Sequence, residues 1–490
     1  MARCRLCCTR PMPRSPDRIR RRDGYFGAAG QRRSRPTRCR SQTMNPGLAE
    51  VLAASGQRRS RWRSLLGVEP GEWRALAWSF AYFFCLLCAY FVIRPVRDEM
   101  IVRFGVDRMQ WVYTSVFLVM LALTPLYGWL VSRWPRRQFL PVVYLVFIAC
   151  LGLFWLLFNF NDALASALGI DPDAFGRGSA MTLAIWITVF NLFVVSVFWS
   201  FMSDIYEPEQ SRRLYATIAT GGTLGALAGP TITGHLAQAV QIDTLLLISA
   251  SLLGLCLVCI AQLVPWAQAR ELARSGSTRE EPIGGTVLAG ARLVFQQPIL
   301  RALALLMICG VAIGGILYNQ QIRLQSEIAD SAQRIAFFAN LDLWINLVAV
   351  IFQLGITRFL LTRFGAGWLL VAPALLVIGV LAMIYGNPTV LMVGLAQVAT
   401  RGMVYGMLNP ARETLFTRID REARYKAKNF IDTVVWRGGD MLTQWGIVMV
   451  TALGLAVASI PLLGIGIAVV WALMGWLIRR WERNTLAPPG

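Results

Sequence analysis

The stretch Phe80–Met100, FAYFFCLLCAYFVIRPVRDEM, decides the fold class. It begins as an aromatic-rich apolar run and ends, without a spacer, in Arg94-Pro95-Val96-Arg97-Asp98-Glu99. A long run without charge reads as a membrane-spanning helix. Charges against hydrocarbon are costly, so they normally face a protein interior or a water-filled pathway. Pro95 lacks a backbone N–H and restricts the residue before it, which predicts a break or kink here. A broken helix end beside fixed charge is one way carriers build a midplane substrate site. The alternative is an interfacial anchor whose Arg side chains snorkel to headgroups.

The rest of the chain repeats the apolar theme. Of 490 residues, 56% are hydrophobic and 15% charged, and the mean hydropathy is +0.52. That composition excludes an ordinary soluble domain and indicates an all-α, polytopic membrane protein. The net charge of +21 suggests nucleic acid at first, but its location argues otherwise. Residues 1–43 carry thirteen Arg against two acids, Asp17 and Asp23. The tail has neither apolar period nor signal-peptide core. It reads as low-complexity sequence upstream of a start at Met44, or as a polybasic arm for anionic lipid. Cys4 and Cys7 form a CxxC spacing that no second pair or His cluster completes, and Cys85 and Cys88 lie inside an apolar helix. No metal or disulfide framework is expected from them.

Twelve spans of bilayer-crossing length are predicted. Six, at 75–93, 110–131, 139–158, 181–202, 215–236 and 244–264, form an N-terminal half, residues 73–264. Six more, at 300–318, 337–360, 368–385, 390–410, 431–453 and 461–478, form a C-terminal half, residues 299–480. Residues 44–72 and 481–490 are expected to be cytoplasmic ends, and 265–298 a cytoplasmic linker with Ser-Gly-Ser-Thr and Ile-Gly-Gly chemistry. Alternate loops carry the Arg and Lys residues, including Arg133, Arg136 and Arg137, then Arg212 and Arg213. The positive-inside rule therefore puts both termini in the cytoplasm of a bacterial inner membrane. Arg94–Arg108 is on the wrong side for a topology signal, which strengthens a functional reading of Arg94 and Arg97.

Gly221, Gly225 and Gly229 recur every fourth residue, a stripe that lets another helix approach closely. No GxxxxGK[ST] occurs, so pumping driven by a built-in P-loop ATPase is not expected. The single His, His235, is either a proton relay or a packing residue. The second half holds polar groups within its spans: Asn340, Asp342 and Asn346, then Arg401, Asn409, Arg412 and Glu413, then Asp432, Arg437, Asp440 and Gln444. They form either a structural ion-pair network between helices or a cavity with cationic binders and acidic gates.

Two resemblances follow. Gly128–Arg137 after the second span and Gly355–Gly365 after the eighth resemble the conserved loop of the major facilitator superfamily. Arg94-Pro-Val-Arg97-Asp98, the block Phe198–Tyr215 and Arg424-Tyr-Lys426-Ala-Lys428-Asn-Phe-Ile-Asp432 resemble the ATP/ADP exchangers of plastids and intracellular bacteria. This second resemblance covers most of residues 75–480. It implies a twelve-span antiporter for nucleotides, with Arg97 where the family carries a Lys, Asp204 where it carries a Glu, and Lys426 or Lys428 where it carries a Lys. The seventh span departs, reading Tyr318-Asn319-Gln320-Gln321 where the family places a Glu.

The sequence thus predicts a secondary transporter of the major facilitator type, moving an organic anion such as a nucleotide or phosphorylated metabolite. Expected substrate ligands are Arg94, Arg97, Lys426, Lys428 and Arg437, because guanidinium forks and ammonium groups suit phosphate. Expected gating or coupling residues are Asp98, Asp204, Asp342, Arg401 and Asp440. Tyr82, Tyr90 and Trp436 are aromatic candidates for base contact, or equally ordinary membrane-helix aromatics. Partners are the anionic substrate and membrane lipids, with no nucleic acid, no obligate protein partner, no cofactor and no catalytic residue. The alternatives are a proton-coupled carrier using Asp342 or Asp98, or a membrane-embedded interaction or lipid-handling protein that has lost transport.

Overall fold

A computed structural model describes residues 68–69, 71–133, 136–274, 287–416, 427–428 and 430–486. The expected basic tail, the start at Met44, most of the first cytoplasmic segment, the centre of the linker and Lys426 lie outside the described residues. Among those described, the chain is helical, with no strand. The long helices are α1 (Trp73–Phe104), α2 (Met109–Arg133) and α3 (Arg136–Asn159), then, after the short α4 (Asn161–Leu168), α5 (Pro172–Ile205), α6 (Pro208–Leu236) and α7 (Ile242–Arg274). The short α8 (Val287–Gln296) leads into α9 (Pro298–Ser326), α10 (Ser331–Phe364), α11 (Ala366–Gly386), α12 (Val390–Phe416), α13 (Trp436–Ala452) and α14 (Ile460–Leu486). π-Turns interrupt α10 at Phe352–Ile356 and α12 at Val404–Leu408, and another, Ile431–Val435, precedes α13.

Eleven of the twelve predicted stretches lie within these long helices, and the stretch 431–453 takes in the Ile431–Val435 π-turn, α13 and one residue beyond it. Among the described residues, nine helices are long and apolar enough to cross a membrane. The other three are α2, α6 and α13. Glycine and threonine dilute the hydropathy of α6, and Arg437 and Asp440 lower that of α13.

Local chemistry sets the helix ends. Asp171 accepts the Ala174 N–H at 2.9 Å ahead of Pro172, and Glu207 and Gln210 form a capping box around Pro208. Gly105, at φ +115°, ends α1 in a conformation that L side chains rarely adopt.

α1 packs against α5, α6 and α7. The glycine stripe of α6 makes this possible. A Cβ on Gly221 would stand 2.6 Å from the Phe80 carbonyl oxygen, and one on Gly229 2.7 Å from Phe91 Cβ. Pro95 does not break the helix, so of the expected break or kink the break is absent: α1 runs through to Phe104. Neighbouring hydroxyls support its carbonyls. Thr233 on α6 donates to the Val92 carbonyl at 2.9 Å, and Ser249 on α7 to the Ala89 carbonyl at 3.0 Å.

Glu72, at the start of α1, is 8% exposed and ties that end to α6. It accepts from Gln210 Nε2 at 2.9 Å, Arg213 Nη2 at 3.2 Å and the Glu69 N–H at 2.9 Å. Burial alone would raise this carboxyl, but these hydrogen bonds and the Arg213 charge outweigh it and hold it below the ordinary glutamate range.

Two large apolar cores form. One is built from α1–α3 and α5–α7 with parts of α9 and α10, the other from α8, α9, α11, α12, α14 and the start of α13. Across the bundle, α6 lies against α10 and α2 against α13. Asn346 on α10 donates to the Ala226 carbonyl on α6 at 3.0 Å, and Trp445 Nε1 on α13 to Thr114 Oγ1 on α2 at 2.9 Å.

Candidate functional site: a guanidinium-lined central cavity

A cavity of about 640 Å³ occupies the middle of the bundle. Its wall comes from the middle of α1, α6 and α9, the start of α2 and α13, and the later turns of α5, α10 and α12. Arg94, Arg97, Arg401, Arg437 and Asp440 all line it. Three of the arginines are held by acids. Arg94 Nη1 stands 3.3 Å from Asp342 Oδ1, bridging α1 to α10. Arg97 meets Asp98 Oδ1 through Nε at 2.8 Å and Nη2 at 2.6 Å, and Tyr318 on α9 donates its hydroxyl to the same oxygen at 2.6 Å. Arg437 and Asp440 pair at 3.4 Å along one face of α13. Arg401 differs: its guanidinium lies over the Tyr318 ring, 5.4 Å from the centroid, and no acid pairs with it among the described residues.

Several polar atoms around the cavity have no protein partner among the described residues. Arg94 Nε, Asp342 Oδ2, Thr400 Oγ1 and Asn409 Oδ1 are buried without a hydrogen bond. Thr400 and Asn409 line the cavity together with Tyr90, Tyr113, Tyr405 and Trp436. A buried polar atom left unpaired is costly, so ligand or water atoms are its natural complement.

An ion-pair network fastens the end of α1 to the start of α10, close to Ile101 of the cavity wall. Glu99 is fully buried and accepts from Arg334 Nε and Nη2, both at 2.6 Å, from Ser331 Oγ at 2.6 Å, and from Arg103 Nε at 3.1 Å. Arg334 also donates to the carbonyls of Ile328 and Ala329. Arg323 and Asp107 meet at 3.1 Å nearby, again joining the two parts of the chain.

The structure thus brings together Arg94, Arg97, Asp98, Asp342, Arg401, Arg437 and Asp440. It does not bring in Lys428, whose Nζ is 2.7 Å from Glu413 Oε2 and which does not line the cavity. Asp204, half-buried near the end of α5, also lies outside the lining. Asp432 binds Arg412 on α12 at 2.9 Å, across helices. Arg437 instead pairs within its own helix. Of the aromatic candidates, Tyr90 and Trp436 line the cavity, whereas Tyr82 is buried elsewhere and donates to Tyr144 Oη at 2.7 Å. His235 is exposed at the end of α6. Sequence reasoning missed Tyr318 as the Asp98 partner, Arg334 as the Glu99 partner, and Thr400. Arg334 sits three residues into a helix after a loop, where an Arg is unremarkable, so no local signal marked it.

Residues 79–426 match the Major Facilitator Superfamily. The chain belongs to that superfamily. It is a membrane transporter, not an enzyme. As a superfamily member it resembles the ADP,ATP carrier protein 1 of Chlamydia trachomatis serovar D, 23% identical over 83% of this chain and 87% of the carrier. It also resembles the chloroplastic ADP,ATP carrier protein 1 of Arabidopsis thaliana, 22% identical over 84% of this chain and 74% of that one. Among solved structures it shares its fold with the nucleoside transporter NupG, with TM-score 0.55, 16% identity, and 83% and 98% of the two chains covered. A bacterial homologue of the iron transporter ferroportin in an inward-facing state gives TM-score 0.55 at 14% identity, covering 82% and 98%.

Proposed function

We propose that this transporter exchanges nucleotides or closely related phosphorylated metabolites across a bacterial inner membrane, by alternating access and without hydrolysis. The observation that carries the reading is the set of four arginines converging on one central cavity. Arginine presents a planar fork of donors to phosphate, and charge-assisted bonds of this kind are stronger than neutral ones. The resemblance to ADP,ATP carriers over most of both chains supports a nucleotide in particular.

In this reading Arg94, Arg97, Arg401 and Arg437 draw the anionic substrate into the cavity, and its phosphate bonds first to Arg401, with Thr400 as a further donor. Asp98, Asp342 and Asp440 hold those arginines when no substrate is bound, so the cavity does not collapse around unpaired charge. Two six-helix halves, residues 73–264 and 299–480, rock about this site. The Glu99–Arg334 network closes one end, and substrate enters from the other. Both termini face the cytoplasm.

Uptake into proteoliposomes tests the proposal. Labelled nucleotides and sugar phosphates are offered outside, with or without unlabelled compound inside. Internal nucleotide should accelerate nucleotide uptake, and protonophores should leave exchange unchanged. Uptake that ignores internal substrate and stops with a protonophore would replace this reading with the proton-coupled one. That alternative draws on Asp342, 2% exposed with one oxygen unpartnered.

A further inference from the structure

The charges around the cavity nearly cancel. Among the described residues, Arg94 is offset by Asp342, Arg97 by Asp98 and Arg437 by Asp440, leaving Arg401 as the one cation without an acid. Among the described residues, the next charged groups outward are also paired, Arg412 with Asp432, Lys428 with Glu413, and Glu99 with both Arg334 and Arg103. Size does not discriminate among nucleotides here. A volume of about 640 Å³ lies within the usual range for small-molecule sites, and much of the wall is apolar. Charge does discriminate. In an enclosure of low polarity, charge that is not offset locally is expensive.

We propose that the cavity selects singly phosphorylated nucleosides over di- and triphosphates, with the phosphate seated between Arg401, the Thr400 hydroxyl and Arg94 Nε. This deepens the nucleotide reading and rests on it. A phosphomonoester carries a charge of about −1.5 to −2 near neutral pH, close to what one free guanidinium and the open donors can offset. Thr400 Oγ1 and Arg94 Nε are buried donors without a partner, and both residues line the cavity beside Arg401. Each additional phosphate must approach an arginine already bonded to a carboxylate, at 2.6 Å for Arg97 and 3.4 Å for Arg437. It then meets an anion about as near as the cation, and gains little. Asn409 Oδ1, an acceptor without a donor, is available to a base amine or a ribose hydroxyl.

Calorimetric titration of the purified full chain in detergent tests this. The probes are adenosine, AMP, ADP and ATP, in EDTA and at constant ionic strength. AMP should bind about tenfold or more tighter than ATP, with ADP between them and adenosine weaker than AMP. Arg401→Gln should bring AMP down to the level of adenosine. Asp440→Asn, which adds one net positive charge, should narrow the AMP-to-ATP gap by about tenfold. Because the wild-type ranking decides by itself, a variant that fails to fold does not remove the test. ADP or ATP binding as tightly as AMP would overturn the inference while leaving the nucleotide reading intact. Binding of none of the four would overturn both.

Discussion

Arg94 shows how one residue joins stability to function. Its side chain is 7% exposed and spans from α1 to Asp342 on α10. Removing one member of a buried pair strands the other charge, at a cost of roughly 3–5 kcal/mol. Arg94→Ala should therefore lower the melting temperature in detergent, and adding Asp342→Asn should recover most of the loss without restoring transport. Equal melting of the single and double variants would show that the pair is not an energetic unit. Glu72 gives a pH test at the same scale. Its carboxyl is held below the ordinary glutamate value by Gln210, Arg213 and the Glu69 N–H. Its contribution to stability is thus complete above that ordinary value, about 4.3, and is lost as pH falls through the lower folded value. Glu72→Gln should melt lower than wild type at neutral pH, and the gap should close as pH drops below about 4. A gap that stays constant with pH would contradict the hydrogen-bonded clamp.

At the scale of elements, the α1–α6 contact is the most demanding in the bundle. Gly225 on α6 faces the Phe84 carbonyl so closely that an added Cβ would overlap it, whereas Gly254 on α7 has open space around its Cβ position. Gly225→Ala should lose folded yield and melting temperature. Gly254→Ala should be neutral or slightly stabilising, because alanine favours a helix over glycine by up to about 1 kcal/mol. Similar melting of the two variants would count against the close approach. This contact was legible in advance, since small residues every fourth position have few other purposes in a membrane helix. The uninterrupted α1 was not. Its continuity past Pro95 is accompanied by hydroxyls from Thr233 and Ser249, both more than a hundred residues away in sequence, where local pattern carries no information.

At the scale of the whole molecule, hydropathy and loop charge exposed the all-α membrane class and the helix positions, because both are local properties of the chain. The cavity was legible in part. Arg94, Arg97, Arg401 and Arg437 stood out as charges in apolar runs, and they do converge. Which charge meets which depends on helix rotation and tilt, so the Arg437–Asp440 and Lys428–Glu413 pairs, and the role of Tyr318, were not readable. The Glu99–Arg334 network belongs to this scale as well, since it fastens α1 to α10 across the bundle. Arg334→Ala should loosen that end. A thiol introduced as Ile101→Cys, at a position now 3% exposed, should then react about tenfold faster with a membrane-impermeant maleimide, read by mass spectrometry at that residue. Unchanged labelling would mean that the network is not what closes the cavity.

The central claim is that the arginine-lined cavity is the path of a nucleotide through the membrane. Counterflow in proteoliposomes preloaded with nucleotide, comparing wild type with Arg97→Ala and Arg97→Lys at equal amounts of folded protein, tests it most directly. Arg97 lines the cavity and is bonded to Asp98, so its removal leaves the Asp98 carboxylate without its cation and adds a net negative charge beside the substrate path. Wild type should accumulate external label against the preloaded pool, Arg97→Lys should retain part of that rate, and Arg97→Ala should fall to the level of empty vesicles. Wild-type counterflow that persists undiminished in Arg97→Ala would contradict the account.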